Sequence, residues 1–143
     1  MDAELKRAIL LDHYDKPHNH GLYEDIRYKG LNTASDSCID DLTVQCLFEG
    51  DIVKDVRFDG VGCTISTAST SIISDLIKGK KKEEALHIIE EYYKMIREED
   101  YDEDLLEEAN AFDTLSKQAN RIKCGLIGVK AMEKLIRESL DEH

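Results

Sequence analysis

The spacing of hydrophobic positions along this chain changes from helical to alternating and back. Residues 3 to 15 set Leu5, Ala8, Ile9 and Leu11 in a charged background, which predicts a short amphipathic helix docked on one side. Pro17, the only proline, closes it, and KPHNHG from Lys16 to Gly21 reads as a turn. The segment from there to about Ser37 has no clear period and reads as irregular. From Leu42 the pattern alternates: Leu42, Val44, Cys46 and Phe48 share one face, and Thr43, Gln45 and Leu47 the other, as in a half-buried strand. Glu49-Gly50-Asp51 turns the chain into a second strand, IVKDVRF, and antiparallel pairing of the two is the simplest outcome. Gly60 and Gly62 are expected to break that strand. A helix begins near Cys63, burying Ile65, Ala68, Ile72, Ile73 and Leu76, and Gly79 ends it.

Beyond Gly79, the residues Ala85, Leu86, Ile88, Ile89, Tyr92, Tyr93 and Ile96 keep helical spacing, which predicts a docked helix. An acidic turn and a short helix near 104 to 111 follow. A last helix runs from about Gln118 to Leu140, with Ile122, Leu126, Val129, Met132, Ile136 and Leu140 on one side. Two strands among several helices make this an α+β chain, a small antiparallel sheet packed against helices. At 143 residues it is the size of one domain, with no internal repeat to suggest two.

Composition narrows the function classes. The formal charge of −12 opposes binding to phosphate backbones and anionic lipid, so neither nucleic acid nor membrane is an expected partner. Residues 80 to 108 hold twelve acidic against five basic side chains and supply seven of those twelve charges. No run of about 18 apolar residues is present and the N-terminus lacks a signal-peptide pattern, so the expected compartment is the cytosol. In that reducing compartment four cysteines are read for metal or redox chemistry rather than for disulfides.

Three of them, Cys38, Cys63 and Cys124, lie at the edges of predicted elements, where side chains from different segments can converge. Cys46 is in mid-strand on the apolar face and reads as a small core hydrophobe. Tetrahedral zinc takes thiolate, imidazole or carboxylate ligands, and three cysteines leave one position. Asp40, two residues after Cys38, is a natural fourth; Asp36 and Asp41 flank the same segment. Separations of 25 and 61 residues match no short zinc-finger pattern, so spacing alone is weak support. Local chemistry adds to it. Cys63 at a helix N-terminus would have its thiolate stabilised by unpaired amides and the helix dipole. Three thiolates and a carboxylate around a divalent ion leave about −2, which Arg121 and Lys123 would offset if they are more than solvated helix charges.

The opening LLDHYDKPHNHG is similar to the DHY-x-x-P-x-N-x-G signature of the U-type iron–sulfur scaffold family, met by Asp12, His13, Tyr14, Pro17, Asn19 and Gly21. GVGCTISTASTS resembles that family's glycine-cysteine helix start, and RIKCGLIGVKAMEK its third cysteine region. The three motifs occur in order across nearly the whole chain. By position, the resemblance implies metal ligands at Cys38, Asp40, Cys63 and Cys124. The long stretch between Cys63 and Cys124, read as a helical insertion at about 80 to 112, points to the zinc-dependent SufU branch. So does Lys123, which stands where the IscU branch has histidine. The LPPVK motif read by chaperones in the IscU branch is replaced by Ser116 to Asn120. Near the first cysteine this chain has Asp36 and Ile39 where the family has proline and glycine.

What the resemblance implies is a zinc-dependent acceptor of persulfide sulfur, working with a SufS-like cysteine desulfurase and downstream iron–sulfur assembly proteins. In that branch a desulfurase histidine displaces the first cysteine from zinc, making Cys38 the implied acceptor. Two other readings stand beside it: a scaffold on which iron or a 2Fe–2S cluster is held transiently by the same ligands, and a purely structural zinc module. His13, within the DHY signature, reads as a packing or hydrogen-bonding residue, and His18 and His20 as loop residues.

Overall fold

A computed structural model describes residues 1–34 and 40–142. Among them the chain forms α1 (Ala3–Asp15), β1 (Tyr28–Asn32), β2 (Asp41–Glu49), β3 (Ile52–Val61), α2 (Thr64–Ile77), α3 (Lys82–Ile96), α4 (Glu103–Leu106), two 3-10 turns (Glu107–Phe112 and Leu115–Lys117) and α5 (Ala119–Asp141). The strands make one antiparallel sheet in the order β1-β2-β3, and α2 and α5 pack against it. The α+β expectation therefore holds. No helix among the described residues is long and apolar enough to cross a membrane.

The alternation in β2 is realised from Leu42 to Cys46: Leu42, Val44 and Cys46 are buried, and with Val53, Val56 and Phe58 of β3 they form the sheet side of the core, while Phe48, past a register shift after Leu47, is only partly buried against it. Val129, Met132 and Ile136 of α5, Ala68, Ile72 and Ile73 of α2, and Ile88, Ile89 and Tyr92 of α3 complete it. The acidic side chains Glu83 and Glu84 are exposed while the apolar face of α3 docks, so charge and burial coexist on one helix, and Glu98 and Glu99 are exposed just beyond its end.

Three sequence expectations need correction. The segment before Ser37 is not all irregular, since Tyr28–Asn32 forms an edge strand on β2, from Tyr28 opposite Leu47 to Asn32 opposite Thr43. Its sequence YKGLN has no period-two pattern because an edge strand with Gly30 at its centre is half exposed and takes its register from β2. Second, Gly60 does not break β3; the strand continues to Val61, with Gly60 at φ +123° opposite Leu42. A Cβ there would lie 2.1 Å from the Asp41 carbonyl oxygen, so glycine lets the two strands close together beside Asp40. Third, α1 does not dock on the predicted stripe. Leu5 and Leu11 are exposed, and the inward positions are Lys6, Ile9, Leu10 and His13. Polar contacts set this rotation: Lys6 pairs with Asp113 at 2.6 Å, and buried His13 Nδ1 meets Ser71 Oγ at 2.7 Å.

Candidate metal centre

The start of β2, the glycine-flanked end of β3 and the first turns of α2 and α5 meet at one end of the sheet. The register that pairs Asp41 with Val61 brings Asp40 across from the Gly62–Cys63 step. Cys63 is the N-cap of α2: its Sγ accepts from the Ser66 amide at 3.4 Å, and the Ser66 hydroxyl donates to its carbonyl at 3.2 Å. Cys124 lies in the second turn of α5. The crossing of the two helices is set by Gly128, four residues past Cys124, where an added Cβ would lie 2.0 Å from Thr70 Oγ1 on α2. That close approach brings the two cysteines together.

One ligand atom from each of Asp40, Cys63 and Cys124 lies within 4.8 Å of the other two. Asp40 is buried and accepts a 3.1 Å hydrogen bond from the Cys63 amide, while both cysteines are half-buried. Ligand atoms on tetrahedral zinc are about 3.5 to 3.8 Å apart, given metal–ligand lengths of about 2.0 to 2.3 Å. The trio thus needs only small side-chain rotations to fit such an ion. Cys38, Asp36 and Ile39 lie outside the described residues, and they belong to the segment that runs directly into Asp40.

The two thiols are electrostatically unequal. Burial raises the pKa of Cys63, but hydrogen bonds from the Ser66 hydroxyl and amide and from the Cys124 thiol outweigh it, leaving Cys63 below an ordinary thiol. Cys124 is pushed up to about 11 by burial, by its hydrogen bond to Cys63 and by the charges of Cys63 and Asp40. Arg121, exposed on the first turn of α5, pulls Cys124 in the opposite direction more weakly. This chain therefore presents two unequal sulfur donors and a carboxylate to a shared point, a donor set that suits a soft divalent cation.

Cys46 is remote in character: fully buried in β2, its thiol is pushed up to about 12 by burial. The histidines serve the frame. His13 bonds Ser71, the amide of His18 donates to the same hydroxyl at 2.8 Å, and His20 pairs with Asp59 at 3.0 Å. Two residues near the site escaped the sequence reading. Ser66 had no signal beyond its place three residues after an N-cap. Tyr92 read as core, and its hydroxyl donates to the Gly125 carbonyl, next to Cys124, at 2.8 Å.

The profile of the NifU-like N terminal domain matches residues 5–125. The zinc-dependent sulfurtransferase SufU of Bacillus subtilis is 37% identical over 131 residues, covering 91% of this chain and 88% of that protein. The iron–sulfur cluster assembly scaffold protein IscU of Streptococcus pyogenes is 35% identical, covering 94% and 84%. Among solved structures, a candidate iron–sulfur cluster assembly scaffold of the SUF system from Fervidobacterium islandicum superposes with a TM-score of 0.74 at 30% identity. That superposition covers 87% of this chain and 91% of the other.

Proposed function

Because this chain belongs to the family of NifU-like N terminal domains, we propose that it accepts persulfide sulfur from a cysteine desulfurase, with zinc, in iron–sulfur cluster assembly. The observation that carries the proposal is the convergence of Asp40, Cys63 and Cys124 at the sheet end. These three, with Cys38 as fourth ligand, would hold the ion. We read residues 1–143 as one domain, with about 80–112 as a helical insertion, working in the cytosol.

Zinc, when bound, supplies the positive charge that keeps thiolate ligands deprotonated at neutral pH. The remaining chemistry belongs to the side chains. The Cys38 thiolate attacks the terminal sulfur of the donor's persulfide, the donor's S–S bond breaks, and the donor cysteine leaves as thiolate. One S–S bond is exchanged for another, so no external oxidant or reductant is required. The charge of Arg121 partly offsets the anionic ligands around Cys124. Cys63 and Cys124 stay in place, held by a helix cap and by a helix interior.

A second reading, favoured by the Streptococcus pyogenes relative, uses the same donors as a scaffold for a 2Fe–2S cluster. A desulfurase turnover assay separates the two. The sulfur-acceptor reading expects turnover of a SufS-like desulfurase to rise several-fold when the zinc-loaded protein is added. No stimulation, with iron and sulfide retained after anaerobic reconstitution, favours the scaffold.

A further inference from the structure

Tyr92 belongs to α3, in the acidic segment, yet its side chain ends at Gly125, the residue that follows Cys124. It is fully buried, packs edge-on against Phe112 with ring centroids 6.1 Å apart, and donates from its hydroxyl to the carbonyl of Gly125 at 2.8 Å. In helix geometry that carbonyl is already the acceptor for the amide four residues on, so the tyrosine is a second donor to it. The contact is not needed to satisfy a buried acceptor. Its effect is to fix where the helix lies.

Gly125 is shaped to receive this contact. A Cβ at Gly125 would lie 2.3 Å from Leu115 Cδ2 and 3.4 Å from the Tyr92 hydroxyl. Leu115, itself buried, comes from the 3-10 turn just before α5. One residue thus receives a side chain from α3 and another from the turn, and both meet α5 at the residue bonded to Cys124. The start of α5 has no side-chain cap of its own, since Gln118 makes no capping hydrogen bond. Its position in space depends on lateral contacts.

We propose that Tyr92 is a positioning residue for Cys124, holding the second turn of α5 so that the Cys124 sulfur meets Cys63 and Asp40. On this inference the helical segment following α2 has a direct part in building the centre, whatever its acidic outer face does. The inference rests on the zinc reading above. Outer groups that orient a metal ligand typically contribute about 10- to 100-fold to metal affinity. A contact acting through the neighbouring backbone belongs at the low end, about tenfold.

Tyr93 supplies a matched control. It sits on the same helix and also reaches α5, donating to Glu133 Oε1 at 2.9 Å, but about two and a half turns beyond Cys124. Zinc affinity of the full chain is measured by competition with a chromophoric chelator for wild type, Tyr92→Phe and Tyr93→Phe. Cobalt-substituted spectra and thermal melts are recorded on the same samples. Tyr92→Phe should bind zinc about tenfold more weakly and shift the cobalt ligand-field bands while keeping a cooperative melt. Tyr93→Phe should match wild type in affinity and spectrum whatever it does to the melt. Equal affinities for wild type and Tyr92→Phe, or equal losses in both variants, would overturn the positioning role. A wild-type chain that takes up neither zinc nor cobalt would instead overturn the zinc reading, and this inference with it.

Discussion

The backbone amide of Cys63 donates to Oδ1 of Asp40 at 3.1 Å, joining two residues 23 apart in sequence. The bond ties the carboxylate to the N-terminus of α2, where Ser66 also holds the Cys63 sulfur. It leaves a carboxylate oxygen of Asp40 within 4.8 Å of both the Cys63 and Cys124 sulfurs, where a shared ion could reach all three.

Metal content should follow the cysteines unequally. The purified chain is expected to carry one zinc, and Cys63→Ala or Cys124→Ala should lose it and lower the melting temperature, because a closed site couples binding to folding. Cys46→Ala should keep the zinc, since that thiol is buried in the sheet core and held protonated. Elemental analysis with a thermal melt decides this, and zinc retained after either of the first two changes would rule out the site.

The choice among the aspartates is equally open to measurement. Asp40 is buried beside Cys63, whereas Asp41 is exposed at the start of β2 and accepts from the Asn32 side chain at 2.7 Å. Under a chelator challenge Asp40→Ala should release zinc at least about tenfold faster, and Asp41→Ala near the wild-type rate. Asp40→Asn, which keeps an acceptor for the Cys63 amide, separates loss of that hydrogen bond from loss of the ligand charge. Similar losses in the Asp40 and Asp41 variants would indicate a general electrostatic effect instead.

Sulfur should arrive on Cys38. Cys46 is inaccessible, Cys63 is committed to capping α2, and Cys124 is built into the interior of α5. After incubation of the zinc form with a desulfurase and cysteine, peptide mass spectrometry should find the persulfide on the Cys38 peptide. Cys38→Ser should abolish stimulation and leave the melt cooperative. Persulfide on Cys63 or Cys124, with Cys38→Ser still active, would contradict the assignment.

Helix packing should limit the centre as firmly as its ligands do. Gly128→Ala would drive a methyl group into Thr70, costing about 1 to 3 kcal/mol by overpacking and prising α2 from α5. Zinc affinity should fall with it, and Thr70→Ala in the same chain should recover much of both by removing Oγ1, the atom at 2.0 Å, and Cγ2, leaving only Cβ at 3.0 Å. Chemical denaturation and chelator competition on the single and double variants test this, and an absence of rescue would place the cost elsewhere.

Local pattern by itself determined much of this protein. The alternation from Leu42 defined β2, the 3.6-residue spacing defined the buried face of α3 and part of that of α5, where Ile127 and Leu135 are buried besides Val129, Met132 and Ile136, and Cys63 was placed at a helix start by the glycines before it. These signals are legible because each records which side of one element meets the core. What the sequence could not contain was decided by contacts between elements. β1 exists because β2 offers it a ladder, and α1 turns Lys6 and His13 inward because Asp113 and Ser71 lie there. Asp40, Cys63 and Cys124 were legible as candidate ligands from residue type and from resemblance. Their convergence to within 4.8 Å depends on the β2–β3 register and on the Gly128–Thr70 contact. Tyr92 was legible only as a core aromatic, because a hydroxyl's partner is chosen by tertiary packing and leaves no periodic trace in the chain.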